Sequence, residues 1–178
     1  MNKITTKEMT IAALATALMC VLGPLTIPIG PVPVTLVNFI ICLAVIILGA
    51  RPATISVAVY LLIGMIGLPV FSGFSGGFGK LAGPTGGYLI GYLFIPIIGG
   101  LFIKLFKGKA LFTALGLILA TAVLYTFGTL WFMILMKCSF IYALTICVLP
   151  FLPFDIIKIV LAIVAGSAIN KALNKQRY

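Results

Sequence analysis

Histidine is absent from this 178-residue chain, and acidic side chains number two, Glu8 and Asp155. Without His or a carboxylate cluster, metal-dependent or general acid–base hydrolysis has no residues to run on. A proton relay needs several acids or histidines within the spans, and only Asp155 qualifies. The four cysteines, Cys20, Cys42, Cys138 and Cys147, form no C-x-x-C pair, which argues against a zinc site or a redox motif. Small apolar filler within helices accounts for them. Nucleotide-binding motifs are missing as well. Gly73 to Gly79 followed by Lys80 resembles a phosphate loop, but the spacing is too long. Leu81 also stands where Ser or Thr must reach magnesium. The chain therefore carries no nucleotide engine of its own, and no metal or cofactor is expected.

Charge is scarce too, at 8% of residues against about 25% in soluble domains. Apolar residues make up 63% of the chain, in continuous runs of about 20, the length that crosses a hydrocarbon core. Continuous rather than alternating runs exclude a β-barrel. The sequence predicts an all-α integral membrane protein, a single domain over residues 1–178, built as a six-transmembrane-helix bundle. The expected spans are 9–25, 34–49, 53–70, 87–106, 111–136 and 153–173, and the first is read as uncleaved. The formal charge of +10 does not mark a nucleic-acid binder, because the cations sit at the ends of apolar segments. Nine of them (Lys3, Lys7, Arg51, Lys104, Lys107, Lys109, Lys171, Lys175, Arg177) fall on one side and two, Lys80 and Lys137, on the other. The positive-inside rule then makes both termini cytoplasmic.

That topology gathers three features at the outer face. A proline-dense connection runs from Gly23 to Pro33 and reads as extended and stiff. A glycine-rich segment runs from Ser72 to Gly87 and reads either as a flexible connection or as a gate over a ligand. The third is Pro150–Lys158, which opens the last span and sets Asp155 and Lys158 on one helix face. Burying a charge near the bilayer centre costs about 2.5–3.5 kcal/mol on insertion scales, so such residues tend to mark a ligand or ion path. An ionised Asp155 suits a ligand with N–H donors. Lys158 either pairs with a ligand carboxylate or neutralises Asp155. Lys80 adds a second cation on the loop, and Phe71, Phe74, Phe78 and Tyr88 offer walls for an apolar ring system. Asn38 lies near the start of the second span. Ala13 and Ala17, a small-xxx-small pair in the first, let another helix approach closely.

Four stretches, in order, resemble the BioY family. They are Gly-Pro-Val-Pro-Val-Thr-Leu (30–36), Tyr-Leu-Leu-Ile-Gly with Gly-Leu-Pro-Val-Phe (60–71), Gly-Pro-Thr-Gly-Gly-Tyr-Leu-Ile-Gly-Tyr (83–92) and Pro-Phe-Leu-Pro-Phe-Asp-Ile-Ile-Lys (150–158). The resemblance implies a biotin-binding substrate component (S component) of an energy-coupling factor (ECF) transporter. Its expected partners are a transmembrane coupling subunit, two ATPase subunits and the lipid bilayer. It also implies ligand contacts from Asp155 and Lys158, with Thr85 and Tyr88 in the loop-to-helix motif, and coupling-subunit docking at Ala13 and Ala17. The chain departs from the family's pattern at Val37–Asn38, where Gln-Thr is frequent, and at Phe154, where Gly is frequent. An S component for a different water-soluble vitamin is the alternative reading.

Overall fold

The computed structural model describes residues 4–27 and 32–175, with side chains as far as Leu173. Pro28, Gly30 and Pro31 of the proline-dense connection, and the terminal cations Lys3 and Arg177, lie outside the described residues. Helix α1 (Thr6–Leu22) begins at a capping box. Thr5 Oγ1 accepts from Glu8 N at 3.2 Å, and Glu8 Oε2 accepts from Thr5 N at 2.8 Å. The cap satisfies end donors that the helix itself cannot, so the helix starts ahead of the apolar run at Met9. Glu8, one of the chain's two acids, is thus engaged in local structure. The helix ends at Leu22, where Gly23 and Pro24 follow.

The proline-dense connection closes into a small hairpin, a departure from the all-α expectation. Strands β1 (Thr26–Ile27) and β2 (Val34–Thr35) pair antiparallel, Thr26 opposite Thr35 and Ile27 opposite Val34. Prolines cannot donate to a ladder, but the four paired residues all keep their N–H groups. Helix α2 (Val37–Leu48) follows at once and is central, with α1, the next helix and the last helix (Leu152–Lys175) packed around it. Gly49, at φ +80°, turns the chain directly into α3 (Ala50–Met65), a conformation that favours glycine. Helix α3 ends at Met65 rather than Val70, because Gly67 leaves helical geometry and Pro69 follows.

Helices α1 and α3 are joined by crossed polar bonds. Ser56 Oγ donates to Ala12 O at 2.9 Å and Thr16 Oγ1 donates to Ser56 O at 3.2 Å. Such bonds hold helices together where no water competes. They bury the Ala12, Ala15, Thr16 and Met19 face of α1 and leave Ala13 and Ala17 exposed.

The glycine-rich segment is tethered rather than loose. Phe71 and Ser75 form a bridge, Gly77 N donates to Gly64 O at 2.7 Å, and Gly73 N donates to Pro24 O at 3.2 Å. The buried Phe71 ring stands edge-on to Tyr60 at 5.6 Å and lies directly over Gly64. A Cβ at residue 64 would sit 2.0 Å from that ring. Gly64→Ala is therefore expected to lower thermal stability by about 1–3 kcal/mol through overpacking. Unfolding followed in detergent is the measurement, and an unchanged midpoint would refute this close fit.

A short helix α4 (Phe78–Ala82) leads into an apolar stretch over Gly86–Leu105. It consists of α5 (Gly86–Gly91), a π-helical turn over Ile95–Gly99 and α6 (Gly100–Leu105). Pro96, with no N–H to give, lies in the π turn, where the regular hydrogen-bond ladder is interrupted. The glycines spaced every four residues face α7 (Ala110–Met136). A Cβ on Gly87 would lie 2.3 Å from Trp131 Cβ, one on Gly91 would lie 3.3 Å from Leu124, and Trp131 Nε1 donates to Gly83 O at 3.0 Å.

The stretch after Lys137, expected to be a connection, folds into α8 (Phe140–Cys147), burying Ala143 and Cys147. The last helix is α9 (Leu152–Lys175). Gly86–Leu105, Ala110–Met136 and Leu152–Leu173 are long and apolar enough to cross a membrane, and α2 and α3 are shorter apolar helices. The architecture is a mostly helical, multi-span membrane bundle. Helices α2 and α9 run side by side in the same direction. Lys158 Nζ donates to Thr35 O beside the start of α2, and Asn170 Nδ2 donates to Ile46 O near its end.

Candidate ligand-binding site

Where α9 begins, the hairpin, α2, α5, α7 and α9 converge on a cavity with about 390 Å³ of empty space, part of it open to solvent. A second hollow of about 330 Å³ adjoins it, sharing Thr35, Tyr88 and Tyr92 and reaching Ser72 and Thr85.

Five residues of this cavity, Asp155, Lys158, Thr35, Tyr92 and Tyr125, form one connected set. Asp155 lies in the first turn of α9, where a negative charge is favoured by the helix dipole, and is 7% exposed. Its Oδ1 accepts from Lys158 Nζ at 2.9 Å, the i, i+3 pair expected from spacing. Lys158 also donates to Thr35 O at 2.9 Å. Thr35 Oγ1 shares a hydrogen bond with Tyr92 O–H at 3.2 Å. Asp155 Oδ2 accepts from Tyr125 O–H of α7. Tyr88 O–H and Thr129 Oγ1 are 3.0 Å apart. One group is left over: Asn38, 6% exposed at the start of α2, has a buried Oδ1 with no hydrogen-bond partner among the described residues. Leaving a buried acceptor unpaired costs about 1–3 kcal/mol, so a partner that arrives with the ligand is the natural explanation.

Chemically, the site offers acceptors at Asp155 and Asn38, a part-buried ammonium with donor capacity beyond its two bonds, and aromatic walls from Tyr88 and Tyr92. It suits a small ligand with an apolar body and an N–H-bearing polar head. Water would be held out by the apolar remainder of the lining: Val32, Leu124 and Phe151.

Of the residues singled out in the sequence, Asp155, Lys158, Asn38 and Tyr88 meet in the main cavity, and Thr85 lines the adjoining one. Lys80, part-buried in α4, lies outside the lining of both. Phe71 packs on Tyr60, and Phe74 and Phe78 are exposed, so none of the three walls the cavity. Phe154, at one departure from the family's pattern, is exposed and leaves the cavity untouched. Asn38, at the other, lines the cavity, and its amide oxygen is buried without a partner among the described residues.

Two lining tyrosines escaped the sequence reading. Tyr92 stands four residues after Tyr88 on the same helical stretch, a spacing that puts both on one face. Tyr125 belongs to a buried polar stripe, Thr121, Tyr125 and Thr129, inside an otherwise apolar span. That four-residue recurrence of polar side chains was the available signal.

Known proteins similar to this chain carry the names of transport components. A protein from Lactococcus lactis subsp. cremoris named "Biotin transporter BioY2" is 36% identical over 94% of this chain and 92% of its own length. "Biotin transporter BioY" from Thermotoga maritima is 37% identical over 90% of this chain and 94% of its own. The crystal structure of "the S-component for biotin from an ECF-type ABC transporter" superposes with a TM-score of 0.87. It is 34% identical and covers 95% of both chains. The model for the BioY family matches residues 1–175. With the family model matched over nearly the whole chain and relatives of 36–37% identity covering 90% or more of it, the chain belongs to the BioY family.

Proposed function

We propose that this protein captures biotin at the outer side of the cell membrane and delivers it inward as the S component of an ECF-type ABC transporter. The observation that carries this reading is the pairing of a buried, hydrogen-bonded Asp155–Lys158 couple with the unpartnered Asn38 Oδ1 in one cavity. Biotin brings two ureido N–H donors for those acceptors, a ureido carbonyl for an ammonium and an apolar ring body for the tyrosines. Thr85 and Ser72 extend the polar lining toward the glycine-rich segment, the side toward which a flexible acid tail would run.

The rest of the reading is topological. Six spans with both termini cytoplasmic account for the placement of the cations. The parallel course of α2 and α9, and the return of the chain through α8 before α9, support that path. Energy would come from two ATPase subunits acting through a transmembrane coupling subunit, since no phosphate loop stands in the sequence. The exposed Ala13 and Ala17 are the proposed docking strip for the coupling subunit.

Equilibrium binding of labelled biotin to the purified protein tests the ligand, with unlabelled water-soluble vitamins as competitors. Saturable binding displaced by biotin alone is expected. Displacement by another vitamin, or no saturable site, overturns the assignment. A finer expectation concerns Tyr92, whose hydroxyl supports Thr35 beside the site. Tyr92→Phe removes one neutral hydrogen bond, so biotin Kd is expected to rise by about two- to tenfold. An unchanged Kd would remove Tyr92 from the site.

A further inference from the structure

Asp155 is the one acid of this chain inside the bundle, and its partners divide its two oxygens between two helices. Lys158, on its own helix, holds Oδ1. That bond alone leaves the carboxylate poorly defined, because the terminal torsion of Asp has broad wells. The second oxygen is fixed from outside, by the Tyr125 hydroxyl on α7. With both oxygens held, the remaining lone pairs have set directions in the cavity that also contains the unpartnered Asn38 Oδ1. Two acceptors at fixed positions are what a head group with two N–H donors requires, and pre-fixing them removes an ordering cost from binding.

The ring of Tyr125 has a second face. Besides the ligand cavity, Tyr125 and Asp155 border a mainly apolar cleft between α7 and α9, lined also by Ile118, Thr121, Ala122, Ile156 and Ile159. Ile118 and Ile156 are exposed on the outside of the bundle, the surface that a bilayer would cover. The Tyr125–Asp155 contact therefore stands between the cavity and the bilayer.

We propose that Tyr125 is a positioning residue for ligand capture: its hydroxyl fixes the Asp155 carboxylate for the ligand's N–H groups while its ring closes the cavity toward the lipid. This rests on the reading of Asp155 as a ligand acceptor.

The test is a double-mutant cycle on labelled biotin binding with Tyr125→Phe, Asp155→Asn and the double variant. Tyr125→Phe keeps the ring and so preserves packing. If Tyr125 acts through Asp155, Tyr125→Phe raises Kd about tenfold in the native background and less than about twofold in Asp155→Asn. Equal losses in both backgrounds would assign Tyr125 a separate role and overturn the proposal. A second measurement needs no ligand. The chain has two acidic side chains, so the infrared difference between ligand-free protein and Asp155→Asn isolates the Asp155 carboxylate stretch. Tyr125→Phe should shift that band, and an unmoved band refutes the coupling. Protein that binds no biotin while its band shifts would retire the ligand and keep the Tyr125–Asp155 coupling. A native Kd unaffected by Tyr125→Phe would retire the positioning role and keep the ligand.

Discussion

Asp155→Asn is expected to raise the Kd for biotin by roughly ten- to a hundredfold, the worth of a hydrogen bond to a charged group in a buried site. The substitution keeps the shape and one acceptor but removes the charge. In the native site Oδ1 faces the Lys158 ammonium and Oδ2 faces the Tyr125 hydroxyl, both donors. An amide offers one oxygen and one NH2, so one of these neighbours loses its acceptor. Lys158 is then a part-buried cation held by the Thr35 carbonyl. Removing one partner of a buried pair costs about 3–5 kcal/mol, so the variant should also unfold at lower temperature. The two effects are separated by Asp155→Leu combined with Lys158→Met. Replacing both charges by apolar groups is often neutral for stability, so thermal stability should return while biotin binding stays lost. Recovery of binding in that double variant would assign the pair a purely structural role.

Ala13→Leu with Ala17→Leu is expected to abolish biotin uptake in membranes containing the coupling and ATPase subunits, with Kd unchanged within about twofold. The reason lies in the two faces of α1. Ala12, Ala15, Thr16 and Met19 turn inward, bonded or packed against the bundle, so α1 is held in place without Ala13 or Ala17. Those two are exposed among Met9, Leu14, Leu18 and Val21, a surface on which leucine is already tolerated. Leucines there should cost the isolated protein nothing, yet they would keep a partner helix from the close approach that small residues permit. Co-purification of the subunits is the direct readout. Assembly that survives both substitutions would move the docking face elsewhere.

What the linear sequence carries most clearly is what local rules control. Apolar runs the length of a bilayer predicted spans, and three of the helices meet that length and composition. The i, i+3 spacing of Asp155 and Lys158 predicted their contact, because a helix converts that spacing into a shared face whatever surrounds it. Gly87 and Gly91, four residues apart and so on one helix face, lie close against α7. The hairpin was missed because its four paired residues are ordinary while the prolines between them dominate the pattern.

By itself, then, the sequence determined the class of protein, the absence of an energy-consuming motif and the Asp155–Lys158 couple. Only the tertiary structure decided who else meets that couple. Tyr125, 30 residues before Asp155, and Thr35, 123 before Lys158, are brought to it by the rotation of α7 about its axis and by the path of the hairpin. The packing of α1 on α3 leaves Ala13 and Ala17 exposed, and the tether at Gly77 leaves Lys80 outside both cavities. Hydrophobic periodicity fixes which residues share a helix face. Which neighbour that face meets depends on packing among helices far apart in sequence.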